Sequence, residues 1–350
     1  MQITGPQPPS SPRSPAGSET ETRPAASGPA RVRGEAGDGP LQAALRDALP
    51  RQLPLSTVLA GLLAASGGSR HPALPAEVLQ QMQRLLERLP QREAVTRADG
   101  LRQALADSGL FLEARLAEAL RAGQPSTQLA RQLAGDLKGG LLGLLSLLLG
   151  QAGGGKPVPA PVHGGETPPP LPHAQPVAQP RVLPPGQPPE GLSLPRQLQQ
   201  LLRQVDAGIA RIQLSQLASI AEDDDGTRHW LLDLPLRDGE RIDVLQLRIE
   251  QRRKRRESGE RGLWSVALAL ELPDLGPVHA RVSLGGGTVS ARFWAERDDT
   301  ARLFDRHLGE LQQRLRQAGL EVGQLAAHHG APPAAESGPA LPRTLLDEQA

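Results

Sequence analysis

The chain has 350 residues, no cysteine and a formal net charge of +1, which excludes disulfide scaffolds, thiolate catalysis, cysteine-ligated zinc and any global field drawing it to nucleic acid or anionic lipid. Aromatic residues make up only 2% of it, so a core has to be built from Leu, Val and Ala rather than from large rings. Its 35 prolines and 38 glycines are about a fifth of the chain against a usual share of roughly 12%, pointing to one compact domain plus extended sequence.

Residues 1–40 carry Pro, Ser, Gly and scattered charge with no apolar period and are expected to be disordered. They lack the basic-then-apolar pattern of a cleaved signal peptide. Residues 41–150 turn Leu- and Ala-rich and read as a helical or partly disordered region. The clearest helix is Ala76–Leu89, with Val78, Met82, Leu85, Leu86 and Leu89 on one stripe between Pro75 and Pro90. A second pattern runs through Leu101, Leu105, Leu112, Leu116 and Leu120 and breaks at Gly109. Neither has an obvious sheet or aromatic core to bury against. The most apolar run, Leu141–Leu149, is about half the ~20 residues that span a bilayer, so no stable membrane insertion is expected.

Residues 151–195 read as a Pro/Gly-rich linker, with Gly153–Gly155, Pro168–Pro170 and Pro184–Pro185 leaving no room for a regular element. After Pro195 the pattern becomes that of a folded α+β domain, 196–330: a small mixed β-sheet with packed helices. Leu198, Leu201, Leu202, Val205, Ile209 and Ile212 mark a helix. Trp230, Leu232, Leu234 and Leu236 alternate as a strand, Asp238-Gly239 signals a hairpin, and Leu245, Leu247 and Ile249 return. Beyond a charged loop, Trp264 to Leu272 alternate again. Pro273-Asp274-Leu275-Gly276-Pro277 breaks that strand, Val278 to Leu284 form the next, and Gly285–Gly287 turn into Val289 to Ala295. Asp298, Asp299 or Thr300 can cap a helix with Phe304, Leu308, Leu311 and Leu315 on one face and Gly319 as its stop. Leu320, Val322 and Leu325 make a last strand, giving a strand–helix–strand crossover beside a hairpin. Residues 331–350 read as a flexible tail.

The residues offer little chemistry. The basic run Arg252–Arg256 could dock onto an acidic partner or anionic surface, but Glu250, Glu257 and Glu260 surround it and no aromatics interleave, so it reads chiefly as a solvated hairpin loop, and no nucleic acid is expected as a partner. His229, His279, His307, His328 and His329 show no metal-ligand spacing and read as surface histidines. Asp223–Asp225 before Gly226 lacks the later Glu of a calcium loop. Gly285–Gly287 lies between strands rather than before a helix, so it is no phosphate loop. No catalytic, cofactor or metal residues are assigned, and the chain is not read as an enzyme.

The run Leu268-Ala-Leu-Glu-Leu-Pro-Asp-Leu-Gly-Pro-Val278, and further on Ala318-Gly-Leu-Glu-Val-Gly-Gln324, resemble the C-terminal domain of flagellar hook-length control proteins. The resemblance covers about Trp264 to His329. It implies a protein exported through the flagellar type III apparatus, with an N-terminal molecular ruler that contacts hook and hook-cap subunits. The C-terminal domain would engage the cytoplasmic domain of the export switch protein and turn export from hook-type to filament-type substrates. A monomer is expected. Residues 273–278 have a bland reading as a turn between strands and a functional one as a partner contact. Leu275, Gly276, Pro277, Val278, Ala280 and Leu311 are the candidate switch contacts. A needle-length regulator of a virulence type III system is the alternative of the same kind, and a nucleic-acid binder using 252–256 is the remote one.

Overall fold

The computed structural model describes residues 39–66, 74–151, 168–170, 174–183, 193–220, 226–252 and 262–333, all but Gly39 within the unit Pro40–Ala350. The expected disorder of 1–38, most of the linker, the basic run beyond Arg252, the Asp223–Asp225 turn and the tail beyond Pro333 lie outside the described residues. Among the described residues seven α-helices come first: α1 Pro40–Ala48, α2 Leu55–Ser66, α3 Ala76–Glu87, α4 Ala98–Ala106, α5 Leu112–Arg121, α6 Ser126–Gly135 and α7 Leu137–Gln151. The long α8, Leu194–Ile220, leads into β1 Thr227–Asp238, β2 Arg241–Arg252, β3 Leu263–Leu272, β4 Gly276–Gly285 and β5 Thr288–Ala295, followed by α9 Asp298–Gln317 and β6 Glu321–His329. The fold is α+β. The sheet runs in strict chain order, β1-β2-β3-β4-β5-β6, antiparallel except for the parallel β5–β6 pair joined by α9.

Local chemistry explains the breaks. Gly109 sits at φ +92, where a Cβ would lie 2.9 Å from Lys138 Cβ, so α4 and α5 part there rather than run on. The α6–α7 pair turns through 97° around Asp136, whose Oδ1 accepts the Gly139 amide at 3.2 Å as an N-cap. Gly286 and Gly287, both at positive φ, close the β4–β5 hairpin as a two-residue turn of the type that matches strand twist. The α9 helix ends in a Schellman motif: Leu320 N–H bonds Leu315 O and Gly319 N–H bonds Arg316 O, with Gly319 at φ +80.

The helices of 40–151 find a core that the linear pattern does not announce. Leu55, Val58, Leu59, Leu62, Val78, Met82, Leu141, Leu144 and Leu148 are buried with Leu201, Leu202 and Val205 of α8 against Ile242 and Val244 of β2. A second cluster joins Ala104 and Leu110 to Leu232, Leu234, Leu236 and Leu247 on the opposite face of the same hairpin. The β1–β2 hairpin is therefore covered on both faces, and Leu231 to Leu236 are buried without alternation. The apolar α7 lies in this core, and no single helix among the described residues is long and apolar enough to cross a membrane.

The last third is packed more thinly. Of α9 only Thr300 and Ala301 are buried. A small cluster of Val278, Ala295 and Ala301, backed by Leu270, Leu272 and Phe304, fastens it to the sheet.

Candidate functional site

The Pro273–Pro277 turn is built into the start of α9. Leu272 pairs with Gly276 and Glu271 with Pro277, leaving a three-residue loop, 273–275, in which Asp274 takes φ +61, followed by Gly276 at φ +75. Positive φ is what Gly supplies cheaply and Asp tolerates, and a Cβ on Gly276 would also lie 3.2 Å from Arg297 Cδ. Three bonds from the β5–α9 corner hold the loop. Arg297 Nη1 donates to Asp274 O at 2.8 Å, Thr300 Oγ1 donates to Leu275 O at 2.8 Å, and Glu296 N–H donates to Pro277 O at 3.3 Å.

Thr300 is thus spent on the turn rather than on capping. The N-cap position belongs to Arg297, and none of Asp298, Asp299 or Thr300 makes a side-chain cap bond. Asp298 and Asp299 in the first turn, with Arg314 and Arg316 in the last, still complement the helix dipole.

The candidate contact residues separate into two kinds. Leu275, Gly276 and Pro277 are half-buried on the turn, whereas Val278 and Ala280 are each 6% exposed. Val278 packs against Ala295 and Ala301 in the small cluster. Leu311 is half-buried on α9, about 16 Å beyond Thr300 at the ordinary helix rise. The structure brings Leu275–Val278 to the start of α9 and leaves Leu311 three turns away. The residues that hold the turn, Glu296, Arg297 and Thr300, were not legible as a group. Only Thr300 stood out, as a potential cap.

Histidines divide similarly. His307, His328 and His329 are exposed, but His229 is 2% exposed and His279 half-buried, a correction to the reading of all five as surface residues. Burial pushes the His279 pKa down, opposed by the Glu296 charge and a bond to the Pro176 backbone. Among the described residues no three His, Asp or Glu side chains converge as a metal site. Trp230 and Trp264 stack with centroids 6.0 Å apart, Trp264 standing opposite Gln251 near the end of β2. Aromatics thus lie near the start of the basic run through the sheet, although none interleaves with it in sequence.

No curated protein and no solved structure matched the chain. A family model did, over the stretch that starts at the last residue of β2 and takes in β3, the turn, β4, β5, α9 and β6. Both sequence signatures fall inside it, one on β3–turn–β4 and the other at the α9–β6 junction. Residues 252–336 match the family described as flagellar hook-length control protein FliK, and this part of the chain is similar to that family.

Proposed function

We propose that the chain is an exported, non-enzymatic regulator of flagellar hook length, whose C-terminal domain ends hook-type export and starts filament-type export. The observation that carries this is the match over 252–336. Residues 1–195 are the measuring segment, meeting hook and hook-cap subunits, and 196–330 hold the switch domain that engages the cytoplasmic part of the export switch protein as a monomer. Leu275, Gly276 and Pro277 on the turn and Leu311 on α9 are its accessible contacts, with Val278 and Ala280 beneath supporting the turn.

Physical chemistry supports the reading. A segment of 195 residues reaches roughly 600 Å at ~3.1 Å per extended residue, but only about half that as helix. The helices of 40–151 must therefore unfold to measure. A core of Leu, Val and Ala with no cysteine in the chain carries no covalent lock against doing so.

Val282→Asp tests the assignment. Val282 pairs with Val266 and Ala291 in the middle of the sheet, and a carboxylate there unfolds β3–β5. Cells carrying it are expected to build overlong hooks without filaments, seen by electron microscopy. Hooks of normal length with filaments overturn the proposal.

A further inference from the structure

The strand β3 stops pairing with β2 at Gln246, so among the described residues no strand of the sheet adjoins the backbone of β2 from Arg241 to Leu245 on that side. Val182 takes the place. Its N–H donates to Ile242 O at 2.9 Å, and Ile242 N–H donates back to Val182 O at 3.1 Å, an antiparallel bridge. Beside it Arg181 reaches Asp238 Oδ2 at 2.6 Å and both oxygens of Asp243 at 2.5 and 3.0 Å. The Asp243 side chain is fully buried, and Arg92 closes the cup from the other side at 3.0 Å from Asp238.

Upstream, the same extended segment runs over the sheet face. Gln179 is 1% exposed and accepts the Ser56 amide at 3.1 Å. The Val177 amide donates to Gln246 Oε1 at 2.6 Å, Arg281 Nη2 donates to Gln175 Oε1 at 3.2 Å, and Arg248 Nη1 donates to Ala174 O at 3.5 Å. His279 bonds the Pro176 backbone.

We propose that this cleft is a binding site for an extended, proline-bounded peptide in which an arginine precedes a β-branched residue, and that segment 174–183 is its built-in ligand. The site has the parts of strand-addition recognition: backbone bonds to an open edge supply affinity, and pockets for alternate side chains supply specificity. Asp238 and Asp243 take the guanidinium by charge-assisted bonds. Pro176 and Pro180 flank Val177 and Gln179, fixing an extended backbone at low entropic cost. The peptide spans the helical layer at Ser56, the hairpin at Ile242 and β4 at Arg281. It works as a clasp tying them together, and its release opens the free edge of β2 while both strand neighbours of β2 stay paired.

The test uses the purified full-length chain and does not depend on hook assembly. Amide hydrogen exchange is followed at Ile242 and Val182 and across 263–329, in wild type and Arg181→Ala, with and without a synthetic peptide of residues 174–183. Arg181→Ala is expected to speed exchange at Ile242 and Val182 at least tenfold while 263–329 keeps its wild-type rates. Added peptide restores protection at Ile242, and the same peptide with Ala for Arg181 does not. If Arg181→Ala does not fold, Arg181→Lys, which keeps the charge but loses the fork, gives the same local pattern with a smaller change. A uniform rise across the sheet, no change at Ile242, or local opening that the peptide cannot reverse each overturns the proposal.

Discussion

Arg211 on α8 and Asp233 on β1 form an ion pair at 2.9 Å with side chains only 1% and 6% exposed. Arg211 also donates to Gln52 Oε1 at 3.1 Å and to Pro168 O at 2.7 Å. It ties the helical layer, the sheet and the proline-rich stretch at one buried point.

Breaking that pair from one side strands the other charge. Arg211→Met or Asp233→Asn is expected to lower stability by about 3–5 kcal/mol, whereas Arg211→Met with Asp233→Leu recovers most of the loss, because a well-packed apolar pair avoids the desolvation cost. Arg211 Nη2 has no hydrogen-bond partner among the described residues, which favours the apolar replacement further. Urea denaturation of the two single variants and the double variant checks this, and a double variant as unstable as the singles contradicts it.

Asp136 gives a pH dependence with a definite sign. Burial is the largest cause raising its pKa, from 3.8 to about 6, while bonds from the Gly139 and Lys138 amides and the charge of Arg115 pull the other way. The folded state therefore holds a proton that the unfolded chain has lost. The associated stability is fully present below about pH 4 and is lost as pH rises through about 6. Asp136→Asn keeps the cap and mimics the protonated form. It is expected to match wild type near pH 4 and to exceed it by about 2 kcal/mol at pH 8, at ~1.4 kcal/mol per pKa unit with some loss to solvent screening. Denaturation curves at the two pH values decide the matter, and equal stability at pH 8 rules out the mechanism.

Measurement by the N-terminal segment predicts a length change in proportion. An insertion of about 30 polar residues between Gln151 and Pro168 leaves the clasp and the switch domain untouched. At ~3.1 Å per extended residue it lengthens hooks by about 90 Å. Hook lengths of isolated basal bodies by electron microscopy provide the reading. Hooks of unchanged length that still carry filaments would leave the switch role in place and remove the ruler.

The sheet and its turns were legible because their signals are local. Alternating Leu and Val, Asp238-Gly239, the Gly285–Gly287 turn and Gly319 each specify a neighbour a few residues away. The stripe Leu198–Ile212 also identified α8, but only one side of it. That helix additionally buries Gln197, Gly208, Arg211 and Ser215, because helices and sheet pack around it, and an arginine in a helix reads as solvent-facing until its partner on β1 is known. The proline-rich stretch failed to announce its destination for the same reason. Its anchors, Gln179, Arg181 and Val182, meet partners from Ser56 to Ile242, and no short-range pattern encodes those distances. At the candidate site the turn was readable and its bracing was not, since Glu296, Arg297 and Thr300 approach it only after β5 has paired with β4.

The chain-order sheet has a mechanical consequence. Each of the first five strands is hydrogen-bonded to the strand next to it in sequence, so no ladder within that meander waits on a distant piece of chain. Such a sheet has low contact order, and its strands can zip together quickly from adjacent hairpins. Tension applied at the N-terminal end loads these ladders one after another, β1 from β2 and then β2 from β3, rather than shearing all of them together. The meander comes apart as a sequence of small steps, and the same order run backwards rebuilds it.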